Sequence, residues 1–510
     1  MRHSNHKKRN INIRNTVNRS FIYIEFIAKL RSMKLTFLVP PVLDHNKPAE
    51  RTAGCTRIVY AAPNIYELTV VAVLEQEGYT PIYRDFVYYK TSRKKFEKFL
   101  KEDDSDIYYI WTVNLSIEND LIALSLIRKY RPNAFVVFMG PGPTYFTDRF
   151  FTDEKVVIVR GEPEVIVKEW TNALRDGTDW KLTEGISYLK NGKIIHNKFH
   201  LLLKDLDSLP FPARHHIADR DYHNPKLKIS PYTTAITSRN CPYQCIYCVP
   251  SSLTFAREIE NRREFKKKPF ISFRSIESIE KEMKILHEQG YTAIGFMDDN
   301  FIWNEERTLA ICNIMRKYGF SWGCQARVDA ITDTIARALG MSGCKYVDLG
   351  VESFNEDILK FIKKGITQKQ IYDAIGYLKK YNVPVKLNIL IGTSPLETKE
   401  TLKDTLRRAK KLKVDQIMFN IVSPFPGTEF YAMAKENGWI KGGEYIPTDV
   451  QRESILNYPH LSSHEMERIL FRSNLKYFFS YYFISTQLRR FTSVKEFSYA
   501  LRALKIKLFG

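Results

Sequence analysis

Apolar positions in the first third of the chain fall into short continuous runs separated by stretches with helical spacing. Leu35–Val39, Thr80–Arg84, Ile107–Trp111, Ala134–Met139 and Val156–Val159 read as strands buried on both faces. Ile65–Glu77 and Asp120–Tyr130 carry apolar residues at helical period, and Gly78 ends the first of them. This alternation predicts a parallel, doubly wound sheet with helices on both faces, spanning residues 33–180. Ligands in such a sheet bind at the carboxyl ends of the strands. Here those ends are Pro40-Pro41, Thr112-Val113-Asn114, the Gly140–Thr144 loop and Gly161-Glu162-Pro163-Glu164.

The pattern restarts at Tyr232. Six further strands are predicted: Thr233–Thr237, Ala293–Met297, Trp322–Arg327, Tyr346–Val351, Val385–Ile391 and Ile417–Val422. Helical patterns lie between them at Ser275–Gln289, Glu305–Lys317, Gln368–Lys380 and Lys399–Lys411. Six parallel units over residues 231–435 make a partial (β/α)6 barrel with its chemistry at the strand C-termini. The fold class is therefore α/β: a Rossmann-like domain, a partial barrel, and a helical C-terminal segment over 436–510. Gly140-Pro141-Gly142 is not a dinucleotide fingerprint, because it follows a late strand and Tyr145 stands where the third glycine belongs. These glycines are expected either to let the backbone approach a flat ligand or to make a plain turn.

Residues 181–230 are expected to join the two domains. They contain His215-His216, a vicinal pair whose side chains should project in different directions, which favours packing over metal binding. Ser462 and Glu465 form a capping box that opens a helix. His460 precedes that cap, so it should not share a metal face with His464. The aromatic run Lys476–Phe483 is followed by Arg489, Arg490, Lys495, Arg502, Lys505 and Lys507, with Glu496 as the one acid. A helical lid on the barrel accounts for it, and a peripheral contact with a membrane-held substrate is the alternative.

Composition narrows the class. With 510 residues, 44% hydrophobic and 26% charged, the chain holds two or three domains with a sizeable core. No apolar run reaches the roughly 18 residues of a membrane-spanning helix. Residues 1–32 carry eight Lys/Arg against Glu25 alone and read as a basic, disordered arm without a signal peptide's apolar core; Met33 is an alternative start. The net charge of +21 permits a nucleic acid, an anionic membrane or an acidic substrate without choosing among them. Seven cysteines and no secretory signal fit a reducing cytoplasm.

The cysteines change the picture most. Cys241, Cys245 and Cys248 stand in the spacing C-x-x-x-C-x-x-C, directly after the first barrel strand. Three thiolates can hold three irons of a [4Fe–4S] cluster and leave the fourth iron open to a small molecule. Structural zinc usually takes four ligands, and the other cysteines, Cys55, Cys312, Cys324 and Cys344, are scattered.

This motif and the segments behind it resemble the radical S-adenosylmethionine (SAM) family over about 200 residues. Tyr247 resembles the aromatic residue that lies against the SAM adenine. Gly350-Val351-Glu352-Ser353 resembles the segment whose acid accepts the SAM ammonium. Asp298-Asp299 matches the end of the second strand, and Asn388–Gly392 and Phe425-Pro426-Gly427-Thr428 match the fifth and sixth. Arg327 suits the SAM carboxylate. The first domain resembles the cobalamin-binding domain of cobalamin-dependent radical SAM proteins, although Pro163 departs from the usual Gly-Glu-Gly-Glu. It lacks the Asp-x-His-x-x-Gly motif that supplies a histidine to cobalt; His45 follows Asp44 directly.

The resemblance implies a [4Fe–4S] cluster, SAM and cobalamin. The cluster falls to Cys241, Cys245 and Cys248, and SAM to Tyr247, Asp299, Arg327, Gly350, Glu352 and Ser353. Cobalamin falls to Pro41, Thr112, Asn114, Gly140, Gly142, Thr144 and Glu162. It also implies an electron donor such as flavodoxin or ferredoxin. The expected activity is cleavage of SAM to a 5′-deoxyadenosyl radical, with methyl transfer to an unactivated carbon of a small or lipid-like substrate. The alternatives are an oxidative cyclase or rearrangement enzyme, similar to the anaerobic tetrapyrrole cyclase and hopanoid-associated branches, and a non-enzymatic sensor. A tRNA methylthiotransferase would carry three more cysteines in its first domain, where Cys55 stands alone, so nucleic acid is not expected.

Overall fold

The computed structural model describes residues 33–54, 56–57, 61–224, 226–227 and 229–488. The basic arm 1–32, Cys55 and the basic residues from Arg489 onward lie outside the described residues.

The apolar runs of the first third form the parallel strands β1 (Leu35–Val39), β2 (Ile82–Asp85), β3 (Ile107–Trp111), β4 (Phe135–Met139) and β5 (Val156–Val159). Their side chains alternate between two cores. Ile107, Tyr109 and Trp111 pack with Phe37 and Val137 on one face, and Tyr108 and Ile110 pack with Leu38 and Phe138 on the other. Helices α1 (Ile65–Gln76), α2 (Arg93–Glu102), α3 (Ile117–Tyr130), α4 (Pro141–Tyr145) and α5 (Pro163–Arg175) complete the layers. The strand order is β2-β1-β3-β4-β5. The order reverses about β1, so the crevice favoured for ligands opens between the carboxyl ends of β1 and β3.

Two details differ from the sequence reading. The Gly140–Thr144 segment is not a loop: Gly140, at φ +97°, caps the short helix α4, and Pro141 takes its first position. The joining segment also extends the sheet, adding an antiparallel hairpin of β6 (Ile186–Lys190) and β7 (Lys193–His196) beside β5. Asn191 and Gly192 turn this hairpin at positive φ.

The second sheet holds six parallel strands: β8 (Tyr232–Ala235), β11 (Ala293–Phe296), β12 (Ser321–Arg327), β13 (Cys344–Glu352), β14 (Val385–Ile391) and β15 (Gln416–Ile421). Between β8 and β11 lie two short antiparallel strands, β9 (Ser238–Arg239) and β10 (Ser272–Phe273). Among the described residues β8 and β15 do not pair, so the barrel is open. The helices are α6 (Ser252–Phe265), α7 (Ile276–Glu288), α8 (Glu305–Tyr318), α9 (Asp333–Met341), α10 (Glu356–Phe361), α11 (Gln368–Lys380), α12 (Lys399–Lys411) and α13 (Glu429–Glu436). On β14, Val385, Leu387, Ile389 and Ile391 are buried, while Lys386, Asn388 and Leu390 between them are half-buried. One face thus packs on helices and the other lines a lumen. Gln325, in the middle of β12, is exposed, so the lumen contains open space.

The C-terminal helices are α14 (Ser463–Phe478) and α15 (Tyr481–Leu488), with the expected Ser462/Glu465 capping box. Tyr477 and Phe478 are buried against the barrel, and Ile417 N donates to Tyr477 Oη at 2.9 Å. Phe479 and Tyr481 of the same aromatic run stay exposed, as does Phe471 earlier on α14. His460 pairs with the Glu397 carbonyl and His464 with Arg468, so the two do not converge. No helix among the described residues is long and apolar enough to cross a membrane.

Candidate active site

The three cysteines occupy the loop between β9 and α6, at the carboxyl end of the first barrel strand. Two adjacent acids after β11 fix that loop. Asp298 accepts from Thr237 N at 3.0 Å and from the Thr237 and Ser238 hydroxyls at 2.5 and 2.6 Å. Asp299 accepts from Asn240 N at 2.9 Å and Ser251 N at 2.8 Å, the two ends of the cysteine loop, and from Thr254 Oγ1 at 2.6 Å. Asp299 therefore closes the loop and caps α6, and its carboxylate is fully engaged by these donors.

Cys245 is buried, and Cys241 and Cys248 are half-buried. Burial pushes the Cys241 thiol up to about 11 and raises the Cys248 thiol as well; Lys268 opposes both shifts, and the thiols act on one another. Burial disfavours the Lys268 ammonium, but Glu258 and the two thiols hold its pKa above the usual lysine value. Three thiols that interact electrostatically, with a buried lysine beside them, suit an anionic thiolate cluster, whose ligands must shed protons as metal binds. Cys312, Cys324 and Cys344 also interact electrostatically, but they lie in the hydrophobic core of the barrel, where burial raises the Cys324 thiol.

The expected SAM residues gather at the ends of β12 and β13. Arg327 forks onto Asp329 with two 2.9 Å bonds, donates to the Lys364 carbonyl at 2.6 Å, and reaches Cys245 Sγ at 3.7 Å. Its guanidinium lies 3.5 Å from the Tyr243 ring centroid. Glu352 sits at φ +66° in a register shift of β13 and pairs with the buried Lys364 Nζ at 2.9 Å. Gly350 makes room for that pair, since a Cβ there would lie 2.6 Å from Glu352 Oε1 and 2.7 Å from Lys364 Nζ. Burial and then the adjacent Glu352 carboxylate raise the Tyr247 phenol. Ser353 turns away, its hydroxyl 3.3 Å from Thr405 of α12, which leaves only its backbone on this side.

The first domain meets this loop directly. Trp111 Nε1, at the end of β3, donates to Ser252 Oγ at 3.1 Å. Glu162 and Glu164, after β5, both pair with Arg239, two residues before Cys241, and Arg257 of α6 lies 3.2 Å from Glu162. All four side chains are at most 4% exposed. Burial works against both carboxylates. Arg257 and Arg239 still hold Glu162 below the usual range, while burial wins at Glu164 and raises it. Glu162, expected at a cofactor, is thus held in an interdomain ion network that also accepts Leu203 N.

The other first-domain residues divide into two groups. Thr112 Oγ1 donates to Asp120, itself forked by Arg51. The Cβ spaces of Gly140 and Gly142 are filled by Thr112 and, for Gly142, Ile117, so these glycines admit the chain's own backbone rather than a flat ligand. Thr144 is used internally, bonding the Gly140 carbonyl and Gly161 N, and the Pro41 carbonyl accepts from Asn119. Asn114 differs: it is buried at the switch-point crevice, and neither of its amide atoms has a partner among the described residues. Asn300, one residue past Asp299, shares that condition. Unpaired buried amides are costly, so both side chains are left with unmet hydrogen-bonding capacity beside the site. The sequence reading missed Arg239, Glu164, Arg257, Lys268 and Lys364; only the charge of Arg239 just before the cysteines was a local signal.

Comparison with known proteins agrees with this geometry. Residues 235–409, most of the barrel, match the model of the radical SAM superfamily. It is 28% identical over 458 residues to an uncharacterized methyltransferase, PH0819, of Pyrococcus horikoshii, covering 88% of this chain and 93% of that protein. Two solved structures share its fold. The cobalamin-dependent SAM radical enzyme OxsB, with aqua-cobalamin and SAM bound, aligns at TM-score 0.68 and 15% identity over 94% of this chain and 71% of that one. The radical SAM methyltransferase TsrM of Kitasatospora setae, with cobalamin and a [4Fe–4S] cluster bound, aligns at 0.60 and 17% over 80% and 75%.

Proposed function

We propose that this protein is a cobalamin-dependent radical SAM methyltransferase that methylates an unactivated carbon of a small or lipid-like substrate. One observation carries the reading. The carboxyl ends of β3 and β5 abut the flanks of the cysteine loop, through Trp111–Ser252 and Glu162–Arg239, while Thr144 of α4 accepts from Arg263 in the last turn of α6. A ligand in the first domain's crevice therefore lies next to the barrel mouth. The names of PH0819 and TsrM support the methyltransferase class.

Cys241, Cys245 and Cys248 would ligate the cluster, with Lys268 balancing its charge. When bound, the cluster supplies the electron that cleaves SAM, and cobalamin supplies a methyl carrier. Glu352 already binds an ammonium, that of Lys364, and is placed to take the SAM ammonium. Arg327 would pair with the SAM carboxylate, and Tyr247 would lie against the adenine. Asp299 holds the loop in shape, while Asn114 at the switch point offers its free amide to cobalamin. The reductant is a small electron carrier of the flavodoxin or ferredoxin kind.

Protein reconstituted anaerobically with cobalamin should retain it stoichiometrically through desalting. Electron paramagnetic resonance of the reduced cofactor should show no histidine nitrogen on cobalt, because the first domain has no Asp-x-His-x-x-Gly motif. Histidine coupling would refute the ligation claim, and loss of cobalamin on desalting would refute the domain's role. Methyl-labelled SAM separates the alternatives: a product that carries the label supports methyl transfer, whereas an oxidised or cyclised product without it supports the cyclase reading.

A further inference from the structure

Away from the barrel mouth, the joining segment presses two histidines onto the first helix. His215 and His216 lie on a single 3-10 turn, Arg214–Ile217. The vicinal pair does not diverge as the sequence suggested. The rings lie against each other, with centroids 4.4 Å apart, and both Nε2 atoms sit 2.8 Å from the same oxygen, Glu75 Oε1. The three potential ligand atoms are all within 4.8 Å of one another.

The turn is held from both sides. Ala213 N donates to the Leu68 carbonyl of α1 at 3.0 Å, and Arg214 bonds the Thr234 carbonyl of β8 and pairs with Glu282 of α7. Leu68 and Glu75 lie two turns apart on α1, so one face of that helix carries both the anchor and the carboxylate.

Electrostatics point the same way. Glu75 is in the last turn of α1, which has no basic residue. A carboxylate there adds to the negative end of the helix dipole, and a cation relieves it. Two imidazoles and one carboxylate are a familiar zinc ligand set. Zinc–ligand bonds of about 2.0–2.2 Å put tetrahedral ligands roughly 3.3 Å apart, so each histidine nitrogen needs to draw back from the Glu75 oxygen by only about half an ångström. His215 is 64% exposed, which leaves a fourth position to water.

We infer that Glu75, His215 and His216 form a zinc site that pins the interdomain segment to the first helix. The site is independent of the cluster and of the reaction. The test uses the full chain, with its iron cluster reconstituted and loosely held metal removed by a mild chelator. Zinc titration should then give one equivalent by calorimetry, an anomalous scattering peak between Glu75 and the two histidines, and a higher thermal midpoint. Glu75→Gln and His216→Ala should each lose the equivalent and the thermal shift while keeping their iron content. Circular dichroism of the conservative Glu75→Gln variant establishes that it is folded. Zinc uptake unchanged in both variants, no uptake by the wild type at a large excess of zinc, or a peak at another place would each overturn the inference.

Discussion

Replacing Cys245 by alanine is expected to remove the iron and end SAM cleavage together. Cys245 is the most buried of the three loop thiols, and its sulfur lies 3.7 Å from Arg327. Two remaining thiolates leave the cluster one ligand short. Iron should fall from about four per chain to the background of unreconstituted protein. Cys312→Ala provides the control. That thiol is in the barrel core, so its removal should cost some stability and leave the iron in place. Full iron content in Cys245→Ala, or equal losses in the two variants, would show that the loop is not the cluster site.

The second large effect is expected at Arg239. Its guanidinium compensates Glu162 and Glu164 where all three side chains are almost inaccessible to water. Arg239→Met keeps the volume of the side chain and strands two carboxylates against Arg257 alone. Breaking a buried pair in this way costs about 3–5 kcal/mol, because the uncompensated charge stays buried. The unfolding midpoint in denaturant should fall accordingly, and the cluster should be lost more readily, since Arg239 is two residues from Cys241. Glu164→Gln should be much milder: the amide oxygen still accepts from Arg239, and the Glu164 carboxylate is already disfavoured by burial. An Arg239→Met midpoint equal to that of the wild type would mean that the network contributes nothing to joining the domains.

Much of this architecture was legible because its strands are buried on both faces. Continuous apolar runs such as Ile107–Trp111 and Val156–Val159 admit few other readings, and the observed bounds match. The barrel strands, which bury one face and line a lumen with the other, were legible from their regular alternation with helical patterns, to within two residues at each end. Helix α6 was not. Its sequence, SLTFAREIENRREF, has no apolar stripe, yet Ser252–Asn261 are all buried because its charges meet partners elsewhere: Arg257 with Glu162, Glu258 with Lys268, Glu260 with Arg160. Two of these partners, Glu162 and Arg160, lie more than 90 residues away and leave no local trace.

The β6–β7 hairpin was missed for a different reason. Asn191-Gly192 between Ile186–Lys190 and Lys193–His196 is a strong hairpin signal that the reading as a plain joining segment passed over. At the site, motif order singled out the three cysteines, Tyr247 and Glu352, and the fold brings them to the same end of the barrel. That Asp299 closes the loop, that Ser353 turns away and that Lys364 already pairs with Glu352 depended on side-chain directions that spacing does not give.

The central claim is that the Cys241–Cys248 loop, closed by Asp299, carries a cluster that cleaves SAM reductively. The most direct measurement is mass-spectrometric quantification of 5′-deoxyadenosine and methionine after anaerobic incubation of reconstituted wild-type protein with SAM and a strong reductant. Accumulation of both in equal amounts, dependent on the cluster, is the predicted result. SAM recovered intact from protein that holds its full iron complement would contradict the account.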